Sequence, residues 1–297
     1  MIDADAKWNA SVAQWAHSRS DIDVLVQIGS RVQSGAVADE WSDYDYQLIT
    51  PRPGDFLSGD FARELGHSWT VSAQKAFGGF IKVTAVYADG LEADFVILRT
   101  WEVALAATAN RFPRSAFLWP EPLRRGVEDL RCVAGRGWRI IKGGGRWERR
   151  YGSLTPFVRP MTQPEFLALI EAFWTRVVWV AKKIERGECL AAQRAMHADL
   201  FEPTLRLLEV EALLAGSAAR PEARGAERWL APPRLSALDI PTAPQKKVLF
   251  AALARIIALF GDVSDVVGHR QGWEAPAHDE VGAWVALRAS SDRRLAK

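Results

Sequence analysis

Asp43 and Asp45 stand one residue apart, and twelve residues before them lies the pair Gly29-Ser30. Side chains alternate along a strand, so carboxylates two positions apart point to one side. Two carboxylates so placed repel each other unless a cation sits between them. Mg2+ suits that position, because it prefers oxygen ligands and shares them with substrate phosphates. Gly29 closes an apolar run and lets the backbone come close to a phosphate. Ser30 adds a hydroxyl donor, and a helix beginning near Arg31 would aim backbone N–H groups at the same anion. A third carboxylate, Asp94, lies in the apolar run Leu91-Glu-Ala-Asp-Phe-Val-Ile-Leu98, where a charge is costly unless paired or metal-bound. Glu92 shares its face but is nearer the preceding turn. Asp94 is therefore the candidate third member, as metal ligand, general base or both. Asp21-Ile22-Asp23 repeats the spacing but has no Gly-Ser before it, and it reads as a turn or the start of a strand.

The elements that must position these groups follow from periodicity. Trp8, Val12, Trp15 and Ala16 share one face of a helix over residues 6–18. Asp23 to Gly29 reads as a buried strand ending at a tight turn, and Tyr44 to Thr50 as a second strand. Phe56, Leu57, Phe61 and Leu65 recur at helical spacing, with Gly66 placed to end that helix. Strands over 80–87 and 91–98 flank Asp89-Gly90, a strong hairpin signal that makes them antiparallel neighbours. A helix over 101–109 follows. Residues 121–160 hold ten Arg/Lys against four Asp/Glu and a Gly143-Gly144-Gly145 run. They read as an edge strand at Trp138–Lys142 and a basic connector, either a solvated face or a loop turned toward a triphosphate. From Thr162 the pattern is helical. Thr162-x-x-Glu165 is a capping box, opening a helix to about Arg186 with Phe166, Ile170, Phe173, Val177 and Ile184 on its apolar stripe. A second long helix over 188–215, a loop over 220–244 and helices over 246–260 and 279–289 complete the chain. The expectation is an α+β protein, a mixed-sheet domain over 1–150 followed by a helical bundle over 151–297.

Composition narrows the classes. The 297 residues are 48% hydrophobic and 25% charged, enough apolar material for a core without disulfides. Cys132 and Cys189 are the two cysteines and form no CxxC pair, which points to reduced thiols in a cytoplasmic protein rather than a zinc site. The start carries Asp3 and Asp5 in place of an apolar signal region, and no apolar stretch is long enough to span a membrane. A net charge of +2 gives no ground for a nucleic-acid partner. The thirteen tryptophans read as packing residues first and ligand-stacking residues second.

Strand, Gly29-Ser30, spacer, Asp43-Tyr44-Asp45 and a later strand aspartate together resemble the DNA polymerase β-type nucleotidyltransferase superfamily. Gly29-Ser-Arg-Val-Gln-Ser-Gly-Ala with Asp43-Tyr-Asp45 is similar to the aminoglycoside 6-adenylyltransferases, the streptomycin-modifying enzymes of antibiotic resistance. Arg159-Pro-Met-Thr162-x-x-Glu165-Phe166, Phe173-Trp174 and Val180-Ala-Lys-Lys-Ile-Glu-Arg-Gly-Glu188 resemble the helical domain of that family. The resemblance implies a polymerase β-like N-terminal fold, ATP as donor, Mg2+, and transfer of AMP to a hydroxyl of an aminoglycoside-like acceptor with release of pyrophosphate. Carried over by position, Gly29, Ser30 and Arg31 would hold phosphates, and Asp43 and Asp45 would bind metal. Asp94 matches the third carboxylate position. Lys182, on the first helix of the bundle, is a further candidate cation for the triphosphate, against the plainer role of a solvated residue near a helix end. Transfer to a protein or RNA, suggested by the basic stretch, and a regulatory module that binds nucleotide without turnover are the alternatives.

Overall fold

The computed structural model describes residues 2–33, 38–75, 79–276 and 278–291. The first elements are α1 (Ile2–Ser18), β1 (Val24–Ile28), β2 (Tyr44–Thr50), β3 (Ser68–Lys75), β4 (Ile81–Tyr87) and β5 (Glu92–Arg99). After them come α2 (Thr100–Ala109), α3 (Glu121–Ala134), β6 (Arg139–Lys142) and α4 (Gly145–Tyr151). The strands form one mixed sheet in the order β3-β4-β5-β2-β1-β6. β2 and β5 run parallel, and the other neighbours are antiparallel.

The two central strands are apolar on both faces because both faces are covered. On one face α1 packs Trp8, Val12 and Trp15 against Tyr46, Leu48 and Phe95. Trp8 Nε1 donates to the Tyr46 hydroxyl at 3.1 Å, which satisfies a polar group inside an otherwise apolar layer. On the other face α2, α3 and α4 bring Val103, Ala106, Leu130, Trp147 and Tyr151 against Val24, Val26, Ile49 and Leu98. The sheet is thus fixed from two sides, and its strand ends are free to carry polar groups.

Several elements depart from expectation. The apolar spacing over 56–65 forms no continuous helix but two short 3-10 segments, Pro53–Phe56 and Asp60–Leu65. Gly59 between them has φ +78°, and a Cβ there would stand 2.8 Å from Val71 Cγ1. β3 was not foreseen, since it is an edge strand with most side chains exposed and shows no buried alternation. The edge strand expected at 138–142 forms as β6, but helices stand on either side of it and the stretch that follows is no open connector. Val127, Leu130 and Ala134 are buried along α3 at helical spacing, and α4 buries Trp147 and Tyr151. The Asp89-Gly90 hairpin forms as expected, turning through Ala88–Gly90.

The chain divides into two compact units, residues 1–159 and 160–297. The second contains α5 (Gln163–Glu185), α6 (Cys189–Ala195), α7 (Glu202–Leu214), α8 (Ala226–Trp229), α9 (Pro232–Ala237), α10 (Lys246–Gln271) and α11 (Asp279–Ser291). Met196–Phe201, a π-helical segment, joins α6 to α7, and α10 runs eleven residues beyond the expected end at 260. Thr162 and Glu165 form the capping box of α5. Phe166, Ile170, Phe173, Val177 and Ile184 face inward from α5 and meet Leu253, Ile256 and Phe260 of α10. No helix among the described residues is long and apolar enough to cross a membrane.

At the centre of this unit the rings of Phe173 and Phe260 stack with centroids 3.5 Å apart and planes within 3°. Phe260→Ala leaves a cavity that neither rigid helix can close, so it should lower unfolding free energy by about 3–5 kcal/mol. Urea denaturation measures this; a loss under about 1 kcal/mol would show that the stack does not organise the unit.

Candidate metal and phosphate site

The sheet register brings the three aspartates together. Asp45 on β2 lies directly opposite Asp94 on β5, and Ile28 at the end of β1 lies opposite Asp45. Asp43 precedes β2 by one position and falls on the same side as Asp45. One carboxylate oxygen from each of Asp43, Asp45 and Asp94 lies within 4.8 Å of the others. Asp94 is buried, and the other two are partly exposed.

Gly29 makes this convergence possible. It turns the chain out of β1 at φ +79°, and a Cβ there would stand 2.0 Å from Asp45 Oδ2 and 2.8 Å from its Cγ. Any side chain would displace the carboxylate. Beyond Gly29 the backbone folds into a turn in which the N–H groups of Val32 and Gln33 donate to the Gly29 carbonyl at 3.2 and 3.1 Å. The helix expected from Arg31 is absent over residues 31–33, and residues 34–37 of the Gly29–Ala36 motif lie outside the described residues. The Ser30 hydroxyl is buried with no hydrogen-bond partner. Buried polar groups are almost always paired, and this one follows directly on Gly29, whose Cβ position lies against Asp45.

Arg31 holds protein groups. Its Nη2 donates to the Ser42 carbonyl at 2.6 Å, its Nε to the Asp43 carbonyl at 3.2 Å and its Nη1 to Asp5 Oδ1 at 2.8 Å. The guanidinium also lies 3.9 Å over the Tyr44 ring, and the Tyr44 hydroxyl donates to the same Asp5 oxygen. Burial first, and then the Asp5 hydrogen bond, push the Tyr44 pKa up to about 12, which keeps that hydroxyl a donor. Arg31 and Asp5 thereby pin the segment that delivers Asp43.

Two residues of the site escaped sequence reasoning. Lys82 Nζ donates to Asp94 Oδ2 at 2.8 Å and Thr84 Oγ1 to Asp94 Oδ1 at 2.5 Å. Burial works against the Lys82 charge, but the Asp94 hydrogen bond and the charges of Asp94, Asp45 and Glu92 outweigh it and raise its pKa. Both positions were readable. Lys82 and Thr84 alternate with Ile81, Val83 and Ala85, and pairing β4 with β5 across Asp89-Gly90 sets Thr84 opposite Asp94. Lys182 lies on the last turn of α5 in the second unit with its side chain exposed.

The donor set fits a divalent cation. The Lys82 ammonium pairs with the Asp94 carboxylate of this cluster. Ligands about 2.0–2.1 Å from Mg2+ lie roughly 3–4 Å from one another, a separation that the 4.8 Å limit of the triad admits. Lys82 and Thr84 each take one lone pair of Asp94, and each carboxylate oxygen retains another. The fold and site thus define an α+β protein with a three-carboxylate centre built on adjacent strands and backed by a glycine turn.

No protein-family model matches the chain, and no curated protein matches it. Among solved structures, an aminoglycoside 6-adenyltransferase from Bacillus subtilis is similar at TM-score 0.42 and 14% identity, covering 95% of each chain. The Bradyrhizobium diazoefficiens CD-NTase CdnG, solved in complex with GTP, is similar at TM-score 0.24 and 14% identity, covering 97% of this chain and 93% of that one. Likenesses this loose carry no argument about activity.

Gly29→Ala should weaken divalent-cation binding at least about tenfold while far-UV circular dichroism stays unchanged, because the added methyl group displaces one of three ligands and strains a left-handed residue. Electron paramagnetic resonance of free Mn2+ during titration reads the affinity. Equal affinity in the two proteins would show that the triad is not the cation site.

Proposed function

We propose that the chain is a nucleotidyltransferase that moves AMP from ATP to a hydroxyl of a small, aminoglycoside-like acceptor and releases pyrophosphate. The observation that carries this reading is the convergence of Asp43, Asp45 and Asp94 beside Gly29 and the unpartnered Ser30 hydroxyl. Orphan donors and clustered carboxylates in one place call for a ligand that brings both phosphate oxygens and a cation. ATP as donor and the aminoglycoside-like acceptor rest on the motif likeness of residues 29–45, and so does the polymerase β-type assignment.

In this reading Asp43, Asp45 and Asp94 hold a Mg2+ ion. When bound, the ion supplies positive charge to the α-phosphate and to the leaving oxygen. Gly29 lets the backbone approach the phosphates, and Ser30 Oγ donates to one of their oxygens. Asp94 accepts the proton of the attacking hydroxyl. A new oxygen–phosphorus bond forms at the α-phosphate as the bond to pyrophosphate breaks, and pyrophosphate departs. Lys82 and Thr84 hold the Asp94 carboxylate in place. Arg31 contributes by fixing the segment that carries Asp43.

The surface of residues 121–160 gives less support to an RNA acceptor than its composition suggests. Arg124 and Arg125 pair with Glu121, and Arg159 pairs with Glu128 and Asp129. Three of the ten cations of this stretch are thus engaged by carboxylates of the same stretch.

Incubation with Mg2+, each labelled nucleoside triphosphate and a panel of aminoglycosides tests the proposal through pyrophosphate release. ATP with one acceptor class should give turnover, and Asp43→Asn or Asp45→Asn should lower it at least about 10³-fold, since several kcal/mol of charge stabilisation is lost. Normal turnover in either variant would overturn the catalytic assignment. Nucleotide binding without turnover would identify a regulatory module.

A further inference from the structure

The opposite end of the same sheet carries a second pocket. Asp23 precedes β1, and Thr100 opens α2 six residues beyond Asp94, roughly 20 Å along the strand direction. There a pocket of about 600 Å³ is lined by Asp23, Thr100, Lys142, Arg146, Trp147 and Arg150. None of these residues belongs to the aspartate site, and the volume falls within the roughly 300–1,000 Å³ of small-molecule sites.

Its charges are unbalanced. Lys142, Arg146 and Arg150 line it with one carboxylate, Asp23, and the imidazole of His17, whose Nδ1 lies 2.7 Å from the Ala13 carbonyl oxygen. Arg146 and Arg150 stand one helical turn apart on α4, where like charges repel. Among the described residues neither has a carboxylate partner, in contrast to Arg124, Arg125 and Arg159 of the same segment. Burial, and after it the charge of Arg146, lowers the Arg150 pKa. The Arg150 guanidinium lies 4.5 Å over the Trp147 ring, which fixes its direction. Lys142 Nζ donates to the Arg19 carbonyl and retains two further donors. Two guanidinium groups and an ammonium lining one pocket offer the charge and donors that a phosphate dianion takes. Asp23 has the opposite demand. Thr100 Oγ1 donates to its Oδ2 at 2.6 Å, and the remaining acceptor capacity suits a hydroxyl and repels a second phosphate.

We infer that this pocket binds a small phosphorylated polyol, with the phosphate on Arg146, Arg150 and Lys142 and a hydroxyl on Asp23. The site is independent of the nucleotidyl-transfer proposal, since it shares no residue with the triad.

Calorimetric titration of the full chain in EDTA, with inorganic phosphate, ribose 5-phosphate and ribose as probes, tests the inference. Both phosphates should bind at one site, ribose should not, and ribose 5-phosphate should bind at least about tenfold tighter than phosphate. Arg146→Ala with Arg150→Ala should weaken both phosphates about 100-fold, as expected for two charged hydrogen-bonding groups. Asp23→Asn should bring ribose 5-phosphate to the level of phosphate. Arg146→Glu, at an exposed position, serves as a second variant should the double change disturb folding; it should abolish binding with an unchanged circular dichroism spectrum. Absence of saturable binding, or affinity unchanged in Arg146→Glu, would overturn the site. Equal affinity for the two phosphates would overturn the polyol assignment, and loss of binding in Asp45→Asn would relocate it to the triad.

Discussion

Three carboxylates held within 4.8 Å of one another are an electrostatic load that the surrounding structure must support. Like charges so close repel, and the low dielectric near a buried Asp94 strengthens that repulsion. The protein answers with one ammonium and one hydroxyl, Lys82 and Thr84, both on Asp94. The same cluster requires that Gly29 have no side chain, since the space of its Cβ is already filled by the Asp45 carboxylate.

The rest of the first unit holds this arrangement still. The β2–β5 register sets Asp45 against Asp94, and the α1 and α2–α4 layers clamp the strands from both faces. Arg31 ties Asp5 of α1 to the carbonyls of Ser42 and Asp43, so the least regular segment of the site is braced by charge-assisted hydrogen bonds, which are stronger than neutral ones. The opposite end of the sheet has the reverse electrostatics, with Lys142, Arg146 and Arg150 around one pocket. One sheet therefore carries clustered carboxylates at one end and clustered cations at the other.

What could be read from the chain depended on how local each signal was. Asp43 and Asp45 share a face through the two-residue strand period, and the Asp89-Gly90 turn aligned β4 with β5; both are short-range rules, and both hold. The partnership of Lys82 and Thr84 with Asp94 follows from that hairpin register but needs the pairing to be counted residue by residue. α3 was hidden because its charges dominate the composition, although Val127, Leu130 and Ala134 mark a buried stripe. β3 left no trace, since an exposed edge strand has no face that must be apolar. The role of Arg31 was out of reach, because its partners on Asp5, Ser42 and Asp43 are brought together only by tertiary structure. Gly59 broke the expected helix over 56–65 for a similar reason, since the neighbour that excludes a side chain there, Val71, comes from β3.

In the proposed function one cation, bound between Asp43, Asp45 and Asp94, joins the chain to a triphosphate beside Ser30. Crystals grown with Mn2+ and a non-hydrolysable ATP analogue test it through the anomalous scattering of manganese. The expected result is a peak bonded to oxygens of all three aspartates, with a phosphate oxygen within hydrogen-bond distance of Ser30 Oγ. A fully occupied nucleotide with no manganese at the triad, or with its phosphates held elsewhere on the chain, would contradict it.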